Sequence, residues 1–163
     1  MAGDALITDQ VRAIIGQESE PWVFELTTQG IRQFARAVGY TDRVYYDEEE
    51  ARAQGYRSLP APPAFLGYPV FDPEACDPTF TQPRSANPRI DLPLARVLDG
   101  GVEHVYEEVP CAGDRLIMRN RVTDIRERTG SIGRMVFIQT EQTFTNAETG
   151  RVVARVRRTI IRY

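Results

Sequence analysis

Residues 116–128 (LIMRNRVTDIRER), 134–145 (RMVFIQTEQTFT) and 152–163 (VVARVRRTIIRY) are three long strand candidates in succession, and they decide the fold. Side chains alternate between faces along a strand. Leu116, Met118 and Val122 share one face, as do Val136, Ile138 and Phe144, while many Arg occupy the opposite faces. The sheet therefore has one apolar side and one that is solvated or interfacial. Thr129-Gly130 and Asn146–Gly150 supply the turns. Toward the N-terminus, residues 94–98 read as a strand stopping at Asp99-Gly100-Gly101, and residues 102–109 as another that turns at Pro110–Gly113.

Residues 59–93 hold nine of the eleven prolines. Leu59-Pro60-Ala61-Pro62-Pro63 is excluded from helix interior, because proline lacks the N–H and clashes with the preceding turn. Proline suits a first turn, so Pro63 is expected to open a buried helix through Tyr68. Residues 72–93 read as a long Pro-rich loop, functional or interfacial at that length. In the N-terminal part, residues 4–17 show helical spacing at Leu6, Val11, Ile14 and Ile15. Residues 22–26 form a short strand candidate. Thr27 or Thr28 caps a helix ending at Gly39, and residues 47–54 form another with acids in its first turn. Helices first, then four or five antiparallel strands, is an α+β layout with a sheet wrapped round a helix. The reading is one domain over 1–163, without repeats or linkers.

The 163 residues are 42% apolar and 26% charged, ordinary globular values. No apolar run approaches the ~20 residues needed to cross a bilayer, and the N-terminus lacks the basic and apolar regions of a signal peptide. A net charge of −3 has the wrong sign for a nucleic-acid binder. All 20 basic residues are Arg. Residues 1–113 carry nine Arg and 18 acids, a net −9, and residues 114–163 carry 11 Arg and five acids, a net +6. Such asymmetry could steer an anionic ligand or help subunits meet. Cys76 and Cys111 fit neither a zinc pair nor a redox motif. A lone His104 cannot build a multi-histidine site. The expectation is a cytoplasmic, reducing, metal-free and cofactor-free protein.

Phosphate loops and nucleophile elbows are absent. The stretch Gly39-Tyr40-Thr41-Asp42-Arg43-Val44-Tyr45-Tyr46-Asp47, followed by Ala51, Gly55-Tyr56 and Ala61-Pro62-Pro63, resembles the MaoC-like dehydratase family. Further matches are residues 22–25, Gln33-Phe34-Ala35, residues 61–66, residues 98–101, Gly113-Asp114 and residues 126–130, spanning nearly the whole chain. The resemblance implies a hot-dog fold, an antiparallel sheet of about five strands round a central helix. Active hydratases of that family carry Asp-x-Asn-Pro-x-His, then an acid and an alanine, a glycine–aromatic pair, and Ala-His-Gly opening the central helix. Registered on Asp47, Ala51, Gly55-Tyr56 and Ala61, the catalytic aspartate falls on Tyr40 and the histidine on Tyr45. The asparagine falls on Asp42, the proline on Arg43, and His-Gly on Pro62-Pro63.

Hydration of an enoyl thioester needs a base for water and an acid for the α-carbon. A phenol, with a free pKa near roughly 10, serves poorly as either. The family's glycine offers an N–H to the developing enolate; Pro63 has none, leaving the N–H groups of Ala64 and Phe65. This pattern is similar to the non-catalytic, N-terminal hot-dog half of double hot-dog hydratases and two-subunit hydroxyacyl dehydratases, which widens the acyl tunnel.

Three functions stay open. The first is an accessory subunit of an (R)-specific enoyl-thioester hydratase or 3-hydroxyacyl dehydratase. There a dyad-bearing hot-dog partner supplies Asp and His, and Tyr40, Asp42, Tyr45, Ala64 and Phe65 contact the acyl chain of a CoA or carrier-protein thioester. The second is a self-sufficient homodimeric hydratase or thioesterase using Asp42, Asp47 or His104. The third is a non-catalytic acyl-CoA-binding module. An open sheet edge predicts pairing in each case.

Overall fold

The computed structural model describes residues 5–67 and 89–163. Its frame is a five-stranded antiparallel sheet in the order β1-β3-β4-β5-β2. The strands are β1 (Trp22–Glu25), β2 (Val97–Tyr106), β3 (Arg115–Gly130), β4 (Gly133–Asn146) and β5 (Val152–Arg162). The helices are α1 (Asp9–Arg12), α2 (Thr28–Ala37) and α3 (Glu48–Ala53). The expected α+β layout is present.

The alternation in β3 and β4 puts two apolar clusters on the inner face of the sheet. One joins Leu116, Met118, Phe144 and Ala154 to Leu26, Ile31, Val44 and Ala51 from the helical layer. The other joins Val122, Ile125, Val136 and Ile138 to Ile7 and Val11. Both exclude water from apolar surface, which is the main favourable contribution to folding.

Three expectations are corrected. Helix 4–17 shrinks to α1, capped by Thr8. The chain beyond it is drawn onto β3 instead: Gly16 N–H donates to Val122 O at 2.8 Å and Ser19 N–H to Asn120 O at 2.7 Å. The separate strands at 94–98 and 102–109 are one strand, β2, carrying a bulge between Asp99 and Gly101. A Cβ on Gly100 would stand 2.9 Å from the Thr159 side chain, so the glycine allows the strand to continue past β5. The helix expected from Pro63 is, over the described residues, a single 3-10 turn at Phe65–Gly67. Ala64 takes a φ of 68°, which interrupts helical geometry just after the prolines. Residue 68 and most of the Pro-rich segment, residues 69–88, lie outside the described residues, as does Cys76.

Candidate functional site

Two short segments position the site. Residues 59–61 pair with residues 110–112: Ala61 N–H donates to Pro110 O at 2.7 Å and Ala112 N–H to Leu59 O at 2.8 Å. Asp114, 8% exposed, locks this crossing. Its carboxylate accepts two hydrogen bonds from Arg57, at 3.0 and 2.8 Å, and one from Cys111 N–H at 2.8 Å. Such bidentate, charge-assisted geometry fixes orientation as well as energy. The loop between α2 and α3 closes the other side. Asp42 accepts from Val44 N–H and Asp47 from the Glu49 and Glu50 N–H groups, so each caps a helical turn. Arg43 also binds Asp47 at 2.8 Å.

Between these walls lies a cleft of about 190 Å³. Tyr45, Tyr56 and Tyr106 line it together with Pro60, Ala61 and Pro63, and Val109 and Pro110 close the rim. Tyr40 stands behind Tyr45, ring centroids 5.5 Å apart. Four phenols thus gather round one apolar cleft, and no imidazole or carboxylate lines it among the described residues. Burial first, then the Asp42 carboxylate and the Tyr40 and Tyr56 phenols, push the Tyr45 hydroxyl above the usual phenol range. Burial raises Tyr106 as well, against the pull of the Ala64 N–H and with a further push from Tyr40. Both therefore stay protonated near neutral pH, as donors and not as bases. The Ala64 N–H faces the Tyr106 hydroxyl but closes no hydrogen bond of good geometry, leaving that oxygen buried and unpartnered among the described residues.

A larger depression, about 540 Å³, lies over β2, β4 and β5 and includes Glu103, Glu141 and Arg157. Those charges already bind one another, at 3.1 and 3.0 Å, so they form a satisfied network and not an open receptor. The smaller cleft carries the candidate chemistry.

A family model described as FAS1-like, dehydratase domain region, matches residues 13–156. The chain belongs to that family. Among relatives of this FAS1-like dehydratase chain, a UPF0336 protein from Parafrankia sp. (strain EAN1pec) is 31% identical over 131 residues, 80% of this chain and 79% of the relative. Another, from Thermobifida fusca (strain YX), is 29% identical over 152 residues, 93% of each. The C-terminally truncated HadBC (3R-hydroxyacyl-ACP dehydratase) complex from Mycobacterium tuberculosis superimposes with a TM-score of 0.69 at 24% identity, covering 91% of this chain and 96% of that one. The ChsH1-ChsH2 complex from the same organism gives 0.67 at 18% identity, covering 94% and 87%. A MaoC-like dehydratase gives 0.72 at 22% identity, with 97% of this chain matching 43% of that longer one. The hot-dog fold of MaoC-like dehydratases is therefore the fold of this chain.

Within this FAS1-like dehydratase fold, Tyr40 and Tyr45 come together at the cleft, whereas the other residues singled out from sequence disperse. Asp42 and Asp47 are helix caps, and Arg43 and the capping N–H groups hold the Asp47 carboxyl below its ordinary range. His104 sits on β2, stacked on Tyr106 with centroids 6.2 Å apart. Burial, with Arg158 nearby, lowers its pKa. Phe65 turns inward, edge-on to Phe24 and Phe34, and its N–H donates to Pro62 O at 3.0 Å. The sequence reading did not single out Tyr106, because a tyrosine ending a strand carries no spacing signal of its own. Among the described residues no group of His, Cys, Asp or Glu is placed to hold a metal, and no helix is long and apolar enough to cross a membrane.

Proposed function

We propose that this chain is the accessory subunit of an (R)-specific enoyl-thioester hydratase or 3-hydroxyacyl dehydratase. Its partner is a second hot-dog chain that carries the Asp/His dyad, and the substrate is an acyl thioester of CoA or of a carrier protein. The observation carrying this reading is the pairing of Tyr40 and Tyr45 beside the cleft, at the positions where the family's resemblance sets the aspartate and histidine. The Tyr45 phenol, its pKa raised, neither takes a proton from water nor delivers one to carbon at a useful rate, and Tyr40 brings only another phenol. The two rings do offer a rigid, mostly apolar wall for an acyl chain. The commitment of Asp42 and Asp47 to capping weakens the reading in which this chain uses a carboxylate of its own.

The partner surface in this reading is the β2 edge. Residues 97–103 are exposed throughout, including Val97, Leu98 and Val102 at 58%, 51% and 47%. Unpaired strand edges with apolar side chains favour association. Two fold neighbours are two-chain assemblies, HadBC and ChsH1-ChsH2, which supports a hot-dog partner here.

The test is co-expression with a dyad-bearing MaoC-like chain, followed by crotonyl-CoA hydration by the purified complex and by each chain alone. Activity is expected only when the partner's dyad is intact. Turnover by this chain alone, lost in Asp42→Asn, would establish the self-sufficient reading instead.

A further inference from the structure

Tyr106 ends β2 and lines the cleft, its ring fixed by stacking on His104 and by packing against the first apolar cluster. Its hydroxyl oxygen is shut away from solvent and has no hydrogen-bond partner among the described residues. A buried polar group without a partner is uncommon in folded proteins and calls for a reason. The local backbone sharpens the question. Pro63 has no N–H to give, and the Phe65 N–H is already used on Pro62 O. The Ala64 N–H approaches the Tyr106 oxygen without closing a hydrogen bond. With no acceptor among the described residues, the phenol's own proton is left to donate.

The surroundings select what accepts that proton. The cleft walls contain prolines, an alanine and phenols, with no Arg or His among the lining residues. A carboxylate or phosphate would enter without a counter-charge, at a heavy desolvation cost. A neutral carbonyl oxygen meets no such penalty. About 190 Å³ accommodates roughly six water-sized groups, enough for a carbonyl and a short acyl segment. Ala64 is exposed and holds a left-handed φ of 68°, a conformation unfavourable for alanine.

We infer that the Tyr106 hydroxyl donates a hydrogen bond to the carbonyl oxygen of the bound acyl thioester, standing in for the backbone donor that Pro63 removes. The inference rests on the acyl-pocket reading above and adds a specific binding residue to it. Tyr106 binds and orients; it transfers no proton.

The probe pair is butyryl-CoA and S-butyl-CoA, a thioether in which a methylene replaces the carbonyl, titrated into the full chain and its Tyr106→Phe variant. The wild type is expected to prefer the thioester about five- to tenfold, the worth of one hydrogen bond, and Tyr106→Phe to lose that preference. Loss of an unpartnered hydroxyl should leave Tm unchanged or higher. A Tyr106→Phe variant that keeps the thioester preference overturns the inference and leaves the acyl-pocket reading intact. A fall in Tm of several degrees overturns it too, because the hydroxyl would then be bonded within the fold. A wild type that binds neither compound overturns both readings.

Discussion

The phenol at position 45 separates two roles that a single atom distinguishes. A general base contributes about 10²–10⁴-fold, so its loss is conspicuous. A wall residue contributes area. Tyr45 has a raised pKa and packs on Tyr40, which favours the wall. In the proposed hydratase assembly, Tyr45→Phe is therefore expected to leave kcat/KM within about threefold, measured on crotonyl-CoA. Tyr45→Ala, by opening the cleft, should favour acyl chains two carbons longer by roughly tenfold, at about 0.8 kcal/mol per buried methylene. The family resemblance, through its loop register, singled out Tyr40 and Tyr45, and the structure places their rings side by side. The placement of Tyr106 and Phe65 was not legible in the sequence. An isolated aromatic in a sequence does not reveal which way it points: Tyr106 reaches the cleft from β2, whereas Phe65, next to the prolines, turns into the core.

At the level of elements, local chemistry was the readable part. Thr27 caps α2 by accepting from Gly30 N–H at 3.0 Å, and Asp47 caps α3, both as their sequence neighbourhoods suggest. What misled was long-range pairing. The bridges of Ile15 and Glu18 to β3 end the N-terminal helix early, and β5 holds β2 together across a Gly-Gly pair that looks like a turn. The same β2 carries the next prediction. Among the described residues no strand lies along its outer edge, and Leu98 and Val102 are about half exposed. A Leu98→Asp/Val102→Asp double variant should keep its fold, since exposed substitutions usually change stability by about 0.5 kcal/mol or less. Burying two such side chains against a partner is worth about 3 kcal/mol, so association should weaken roughly 100-fold. Sedimentation or mass photometry of the complex reads this directly, and unchanged association would move the interface away from β2.

Across the whole molecule, the charge asymmetry of the sequence is largely answered within the chain. Acids contributed by β2 and the residues after it meet the Arg-rich β5 region: Glu103 binds Arg157, Glu107 binds Arg155 and Glu108 binds Arg151, all within 3.1 Å. One row crosses four strands in register, Arg121–Glu141–Arg157–Glu103, with contacts of 2.8, 3.0 and 3.1 Å. Exposed pairs of this kind add little individually, but Glu141 is only 8% exposed. Burial acts against its charge, yet the hydrogen bonds from Arg157 and Arg121 outweigh it, and the folded pKa lies below the ordinary 4.5. A carboxylate with a lowered folded pKa stabilises the protein above its unfolded pKa, and that contribution fades as pH falls from 4.5 through the folded value. Glu141→Gln should therefore lower stability at pH 7 by about 1–3 kcal/mol, as two guanidinium groups lose their charged acceptor. Below pH 4.5 the variant should also lose stability less steeply with acid, by up to about 1.4 kcal/mol per pH unit, the limit for one proton. Urea unfolding of both proteins between pH 3 and 7 gives the two curves. Parallel acid limbs would mean that solvent already screens the row; converging limbs would place its strength at Glu141, where four strands share one buried charge.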